Sequence, residues 1–389
     1  MIPTMGSGSL ALFPELVRDH SETRSTGLLP FQNLTECIDS GILRSSTPIG
    51  PDQVQPSSID LRLGPVAYRI RASFLPRPGV TVLSKLKDVL IEEIDLTQPA
   101  QLARGHVYIV PLLEELNLPN SLWGKANPKS STGRLDIFTR LLTDHAEEFE
   151  YVPNGYKGKL FAEIVPRTFP IVVREGLRLN QLRLVKGNPP PSDARLLALH
   201  EREVLVYSAD DSPRDAVISN GLWLSLDLSG TQGSEIVGYR AKRGANPIDL
   251  SRVNFYDPQE YWHPIQRPAS GQVILDPEEF YILASKERVR IPPHYAAEMV
   301  PFDPSVGEFR IHYAGFFDPG FGYGDDDVKG THAVLEVRSH EVPFLVEDGQ
   351  RVGRLVYEQM LAVPEKLYGF GIGSSYQSQG LALSKHFRR

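Results

Sequence analysis

The chain has 389 residues, of which 41% are hydrophobic and 23% charged, so wholesale disorder is excluded and one or two full cores can be buried. Its formal net charge of -7 disfavours a surface that neutralises the backbone of a nucleic acid. The single cysteine, Cys37, can form neither an intramolecular disulfide nor a paired-cysteine zinc site, so we expect a reducing, cytoplasmic setting. No run of about 18 apolar residues occurs, and we expect no association with a membrane.

Short apolar runs, separated by glycine and proline, follow one another along the chain. Residues 1–27, which contain GSGS and SETRSTG, predict a flexible N-terminal arm. Short helices are predicted at FQNLTECIDSGIL (31–43) and DPQEYWH (257–263). Strands are predicted at GHVYIVPL (105–112), GKLFAEIVP (158–166), EFYILAS (279–285) and HAVLEVRSH (332–340). This pattern predicts an antiparallel, all-β fold with a few short helices.

An internal repeat is visible at a constant offset of 173 positions. It relates Tyr108 to Tyr281 and Glu163 to Glu336, and it continues downstream to REGLRLNQL and EDGQRVGRL. We therefore predict two tandem units, residues 28–190 and residues 191–365, joined by the stiff stretch NPPPSDA. The alternative is two unrelated strand-rich domains with similar turns.

The C-terminal segment, residues 366–389, is rich in Gly, Ser and Gln and has little apolar pattern. It can be a frayed tail or a flexible lid that becomes ordered over a ligand. Tyr368, Phe370 and Tyr376 are interleaved in it, and aromatic side chains are suited to covering a ligand. We predict a C-terminal lid.

One loop, NPKSSTGRLDI (127–137), concentrates hydroxyl and cationic side chains. Ser130 and Ser131 can donate hydrogen bonds to anionic oxygens, while Lys129 and Arg134 supply positive charge. The pattern indicates a binding site for phosphate or carboxylate groups. The alternative is an ordinary polar turn.

Two glutamates stand inside apolar predicted strands, Glu163 in KLFAEIVP and Glu336 in HAVLEV. Alternation along a strand places Glu163 on the same face as Phe161 and Val165. A carboxylate among apolar neighbours has a raised pKa and can act as a general acid or base near neutrality. The alternative is a solvent-facing position.

The order of these motifs resembles that of the dCTP deaminases of the dUTPase-like superfamily. The resemblance is carried by QPSSIDLRLG (55–64), KSSTGR (129–134), Glu163, REGLRLNQL (174–182) and SSYQSQG (374–380). It implies two tandem dUTPase-like distorted β-barrels of the β-clip type, assembled as a homo-oligomer, with a trimer favoured. It implies hydrolytic deamination of dCTP without zinc, with Mg²⁺ bound to the triphosphate of the nucleotide.

The resemblance also implies the residues of the site. Glu163 is the expected general base and acid, and Ser130 and Arg134 are expected to position water and stabilise developing charge. The expected substrate-binding residues are Lys129, Ser131, Gln379 and Tyr376, the last two in the lid. No residue is expected to bind a metal directly.

The second unit departs from this pattern. The offset places Asp303 opposite Ser130 and Gly307 opposite Arg134, so we interpret this unit as a degenerate, structural partner. Whether it contributes Glu336 or Asp318 to a site stays open.

Two rival functions also remain. A dUTP diphosphatase needs an aspartate before a Tyr-x-Gly, where this chain has Pro153, but Asp318 in FFDPGFG allows a bifunctional deaminase and diphosphatase. The rival from another class is a catalytically inactive nucleotide-binding scaffold.

Overall fold

The computed structural model describes residues 24–230, 233–300, 315–323, 328–339, 342–369 and 380–389, together with the backbone of residues 309–311. The described residues are mostly β-strands with a few short helices, which confirms the predicted all-β class. Among these residues no helix is long and apolar enough to cross a lipid bilayer.

The elements up to residue 190 form the first half of the chain. They are β1 (Gly27–Leu28), α1 (Phe31–Asp39), β2 (Leu43–Ser45), β3 (Ile59–Arg62), β4 (Val66–Ile70), α2 (Val82–Leu86), β5 (Leu90–Asp95), β6 (Ala100–Leu102), β7 (Val107–Asn117), β8 (Leu122–Pro128), α3 (Ser130–Gly133), β9 (Ile137–Thr143), β10 (Tyr151–Val152), β11 (Lys157–Pro166), β12 (Ile171–Val173) and β13 (Arg178–Lys186).

The elements from residue 191 onward form the second half. They are α4 (Asp193–Arg202), β14 (Val206–Tyr207), β15 (Leu222–Ser225), β16 (Ile236–Ala241), β17 (Ile248–Asp249), α5 (Pro258–Tyr261), β18 (Trp262–Gln266), β19 (Gln272–Leu275), β20 (Phe280–Val289), β21 (Tyr295–Val300), β22 (Phe309–Ile311), β23 (Phe316–Phe317), β24 (Thr331–Ser339), β25 (Phe344–Glu347) and β26 (Arg351–Gln359).

The two halves use the same sheet order. One sheet runs β5-β4-β7-β11-β9 in the first half, and its counterpart runs β18-β16-β20-β24-β22 in the second. A second sheet contains β3, β13 and β8 in the first half and β15, β26 and β21 in the second, in the same order. The pair β6 and β12 likewise has its counterpart in β19 and β25, although β17 of the second half extends the former sheet by pairing in parallel with β12.

Strand register also agrees between the halves at the offset seen in the sequence. Glu163 is paired with Ile109 across β11 and β7, and Glu336 is paired with Ile282 across β24 and β20. The hydroxyl of Tyr108 accepts a hydrogen bond of 2.9 Å from the backbone N–H of Ala103, and that of Tyr281 accepts one of 2.9 Å from Asp276. Residues at corresponding positions therefore have corresponding partners.

The predicted elements are found, with some differences at their ends. The four predicted strands are β7, β11, β20 and β24, and the two predicted helices are α1 and α5. Helix α4 was not expected, because the proline-rich stretch before it reads as a junction; Ser192 caps it by accepting a hydrogen bond from the Arg195 N–H. Of the predicted N-terminal arm the structure describes residues 24–27, and Gly27 pairs with Lys186.

The C-terminal residues 380–389 are packed onto the protein, which differs from the flexible lid expected for them. Phe387 is only 3% exposed and belongs to the main hydrophobic core, which contains residues of both halves. Its ring lies against those of Tyr261 and Trp262, with centroid distances of 5.4 Å and 5.9 Å. Tyr376 and Gln379, the predicted lid residues, lie outside the described residues.

Candidate active site

The KSSTGR loop is fixed at the end of β8, where the short helix α3 follows. The backbone N–H of Lys129 and the hydroxyl of Thr132 both donate to the carbonyl of Leu179 in β13, at 2.9 Å and 3.0 Å. Ser130 is half-buried, and its hydroxyl makes no hydrogen bond to any described residue. The backbone is therefore held rigidly while one hydroxyl keeps its hydrogen-bonding capacity, as a ligand site requires.

A cavity of about 210 Å³ adjoins this loop, and three cationic side chains are among the residues that line it. Lys129, Arg178 and Lys385 line it together with Ser131 and a single acidic side chain, Asp60. Lys129 Nζ lies 2.5 Å from the Asp60 carboxylate, and burial, with the neighbouring charge of Lys129, lowers the pKa of Lys385. An excess of positive charge in a partly enclosed space favours an anionic ligand such as phosphate.

Arg134, at the other end of the loop, lies beside a carboxylate of the second half. Its Nε is 4.0 Å from Oε1 of Glu336, and both side chains are 8% exposed. Burial raises the pKa of Glu336 from its ordinary value of 4.5 to about 7, while the positive charge of Arg134 opposes the rise. A carboxyl group with such a pKa can exchange protons at neutral pH.

A second ion pair joins the same two segments. Two residues beyond Arg134, the Asp136 carboxylate is bound by the guanidinium of Arg338, which lies two residues beyond Glu336. Both side chains are almost fully buried, and the Thr168 hydroxyl donates to Asp136 at 2.5 Å. The loop and β24 are therefore joined by two contacts, Arg134 with Glu336 and Asp136 with Arg338.

Glu163 lies elsewhere, in contact with β9. Its Oε1 accepts two hydrogen bonds from Arg140, of 3.1 Å to Nε and 2.5 Å to Nη2. The guanidinium of Arg140 in turn lies over the rings of Phe138 and Phe149, at 4.6 Å and 3.5 Å from their centroids. The structure thus places Arg134 beside Glu336, whereas the sequence grouped Ser130 and Arg134 with Glu163.

Asp318 of the second half also lies near the loop. Its side chain is 13% exposed, and its carboxylate accepts a hydrogen bond of 2.5 Å from the Ser57 hydroxyl and lies 3.8 Å from Arg183. Burial raises its pKa, opposed by the charges of Arg183 and, further away, Lys129. Glu336 therefore faces the Arg134 end of the loop, whereas Asp318 lies beside Ser57 and Arg183.

Sequence reasoning missed the roles of Arg140, Asp136 and Arg338. Arg338 carried a signal, because alternation in VLEVR places it on the same strand face as Glu336, where a cation needs an anionic partner. Arg140 is opposite Glu163 only through the register of β9 and β11, which no local pattern specifies. Within the parts of the chain that the structure describes, no group of three or more His, Cys, Asp or Glu residues is arranged to hold a metal ion.

Comparison with known proteins identifies the family. The family model for the 2'-deoxycytidine 5'-triphosphate deaminase (DCD) N-terminal domain matches residues 25–188, and the model for the C-terminal domain matches residues 192–387. The crystal structure of 2'-deoxycytidine 5'-triphosphate deaminase from Agrobacterium tumefaciens is 51% identical, with a TM-score of 0.82 over 87% of this chain and 100% of that chain. The chain belongs to the 2'-deoxycytidine 5'-triphosphate deaminase family, as its motifs predicted.

Curated relatives are similar over a smaller part of the chain. The "dCTP deaminase, dUMP-forming" of Thermobifida fusca (strain YX) is 28% identical over 172 residues, which are 42% of this chain and 80% of that protein. The "dCTP deaminase" of Halorubrum lacusprofundi is 30% identical over 115 residues, which are 29% of this chain and 53% of that protein.

Proposed function

We propose that this chain hydrolytically deaminates dCTP to dUTP and ammonia in pyrimidine deoxynucleotide metabolism. The observation that carries the proposal is the contact of Arg134 with the buried Glu336 at one end of a loop whose other end lines a cation-rich cavity. A carboxyl group that exchanges protons near pH 7 is suited to proton transfer at the cytosine ring of dCTP. The cation-rich cavity is suited to binding its phosphate groups. Membership of the family supports the same activity.

The chemistry needs no metal to activate water when a carboxylate can take the proton. Ser130 is proposed to orient the attacking water through its hydroxyl, and Arg134 to stabilise charge that develops at the reacting carbon. Lys129 and Ser131, which line the cavity, are proposed to bind the triphosphate, with Mg²⁺ accompanying the phosphate oxygens and no zinc involved. Gln379 and Tyr376 remain proposed lid residues.

We further propose that the two halves are tandem dUTPase-like barrels that arose by duplication. The shared sheet order and the shared partners of Tyr108 and Tyr281 support this interpretation. A homotrimer in the cytoplasm is proposed from the family resemblance and the lone, buried Cys37. Light scattering of the purified chain measures the oligomeric state.

The activity is tested by incubating the purified chain with dCTP and, separately, with dUTP, in the presence of Mg²⁺ and without added zinc. We expect dCTP to yield equal amounts of dUTP and ammonia, and dUTP to be unchanged. Pyrophosphate release from dUTP as the sole activity would make the protein a dUTP diphosphatase. Binding of dCTP without any turnover would make it a scaffold.

The same assay separates two product outcomes, because the name of the Thermobifida fusca relative includes "dUMP-forming". If ammonia and pyrophosphate were released together from dCTP, the product would be dUMP and the proposal of dUTP as product would be wrong. Asp318, whose carboxylate lies beside Ser57 and Arg183, would then be the first residue to substitute.

A further inference from the structure

We infer that Glu336 of the second half, and not Glu163 of the first, is the residue that moves protons in the proposed deamination. The inference rests on the proposed function and specifies how its site is built. The reacting centre then lies across the two halves of one chain, with its hydroxyl and cation from the first half and its acid–base group from the second.

The first support is the position of Glu336 relative to Arg134. The two side chains face each other at 4.0 Å, a separation at which the guanidinium stabilises a carboxylate without binding it through paired hydrogen bonds. Arg134 therefore does not occupy the carboxylate oxygens, although the carboxyl group accepts a hydrogen bond from the backbone N–H of Glu336 itself. The pKa of about 7 agrees with this role.

The second support is that a neighbouring ion pair holds Arg134 and Glu336 opposite each other. The ion pair of Asp136 with Arg338 and the bond from Thr168 to Asp136 bind the loop to β24 two residues further along each segment. Asp136 adopts a φ of 56°, which non-glycine residues seldom adopt. The turn after α3 therefore has an unusual backbone conformation at the residue that binds Arg338. The first half has Val165 at the position that corresponds to Arg338, so Glu163 has no equivalent clamp.

The third support is that the Glu163 carboxylate is already engaged. Arg140 donates twice to Oε1, and its guanidinium also lies over the rings of Phe138 and Phe149. A base that activates water needs an accessible oxygen, and the second oxygen, Oε2, is buried and has no hydrogen-bond partner among the residues that the structure describes. Glu163 is therefore better suited to holding the β9–β11 pair than to proton transfer.

Glu336 transfers a proton twice in the proposed reaction. The Glu336 carboxylate takes one proton from water as the oxygen bonds to C4 of the cytosine ring, and the resulting carboxyl group gives that proton to N3. Glu336 then takes the proton of the new hydroxyl group and transfers it to the amino group. The C4–N bond breaks, ammonia leaves, the C4 carbonyl of uracil forms, and Glu336 is again a carboxylate.

The experiment compares Glu336→Gln with Glu163→Gln, since the offset makes each the matched control of the other. We expect Glu336→Gln to lower kcat for dCTP by ~10²- to 10⁴-fold while the binding of dCTP, measured by calorimetry, persists. We expect Glu163→Gln to lower kcat by less than about tenfold, which is below the contribution of general acid–base catalysis, and to lower the thermal midpoint.

A second pair of variants keeps the test valid if an amide at either position prevents folding. Glu336→Asp and Glu163→Asp retain the charge but withdraw the carboxylate by one methylene, so kcat is expected to fall much further in Glu336→Asp. A larger loss in the Glu163 variants, or equal losses at the two positions, would overturn the inference and leave the deaminase function intact. Absence of ammonia release by the unmodified chain would instead contradict the proposed function.

Discussion

Asp136 and Arg338 form an ion pair between the two halves of the chain, with side chains that are 0% and 2% exposed. The pair lies two residues from Arg134 on one segment and two residues from Glu336 on the other. Its position links the stability of the contact between the halves to the geometry of the candidate site.

Asp136→Asn is expected to destabilise the protein, because it removes the buried carboxylate bound to Arg338 and leaves that guanidinium with the more distant, exposed carboxylate of Glu278, at 3.7 Å. Breaking a buried pair in this way costs about 3–5 kcal/mol of the free energy of unfolding. Asparagine is the substitution of choice because it tolerates the positive φ at this position. Urea denaturation measures the change.

The matched control for Asp136→Asn is Arg167→Gln. It breaks an exposed contact of 3.6 Å with Glu278 between the same two halves, and exposed pairs contribute about 0–1 kcal/mol. Equal changes in the two variants would show that burial of the Asp136–Arg338 pair does not determine its effect.

The rate of deamination is expected to depend on pH through Glu336. The carboxylate must be ionised to accept a proton from water, so kcat/KM for dCTP should rise with pH up to about 7 and then level off. Among the residues that the structure describes, Arg134 is the charged group beside Glu336, and the neighbour of Glu336 in β20 is Ile282. None of the described carboxyl groups is therefore expected to alter the rise of kcat/KM with pH. A kcat/KM that stays constant between about pH 5 and 8 would contradict the assignment.

The raised pKa of Glu336 also predicts how the free energy of unfolding changes with pH. Because the pKa of Glu336 is about 7 in the folded chain and near 4.5 when exposed, the folded state holds a proton that the unfolded state has lost between these values. The free energy of unfolding should therefore fall as pH rises from about 4.5 to 7, and this component should be missing in Glu336→Gln. A pH dependence identical in the two proteins would count against the raised pKa.

Phe387→Ala is expected to destabilise the protein by ~3–5 kcal/mol, since it removes a buried ring that packs against Tyr261 and Trp262. Phe255→Ala is the control: Phe255 contacts the same aromatic group at Tyr256, with a centroid distance of 5.1 Å, but is 43% exposed. Thermal unfolding of both variants gives the comparison. Similar midpoints would mean that residues 380–389 do not contribute to the core.

The sequence was informative where local pattern determines structure. Alternating apolar residues between glycines predicted β7, β11, β20 and β24, and the constant offset anticipated that Tyr108 and Tyr281 would have matching partners. The concentration of hydroxyl and cationic residues in one loop was enough to single out Lys129, Ser130 and Arg134 as candidate site residues.

The sequence was not informative about which glutamate faces that loop. Glu163 and Glu336 stand at equivalent positions of equivalent strands, and the replacement of Val165 by Arg338 on the same strand face does not by itself show which glutamate faces the loop. The difference comes from packing between the halves, where Arg338 binds Asp136, and from the register that sets Arg140 against Glu163. Likewise, Phe387 follows a segment of low apolar content, and its burial depends on a distant aromatic cluster.

The most direct test of a site built from Arg134 and Glu336 of the same chain is a mixing experiment. Arg134→Lys and Glu336→Gln, each impaired alone, are denatured together and refolded so that any oligomers contain both variants, and dCTP deamination is then measured. We expect no recovery of activity, because every chain lacks one of the two groups that its own site requires. Recovery of activity in the mixture, but not in either variant refolded alone, would show that the two residues meet between different chains and would contradict this account.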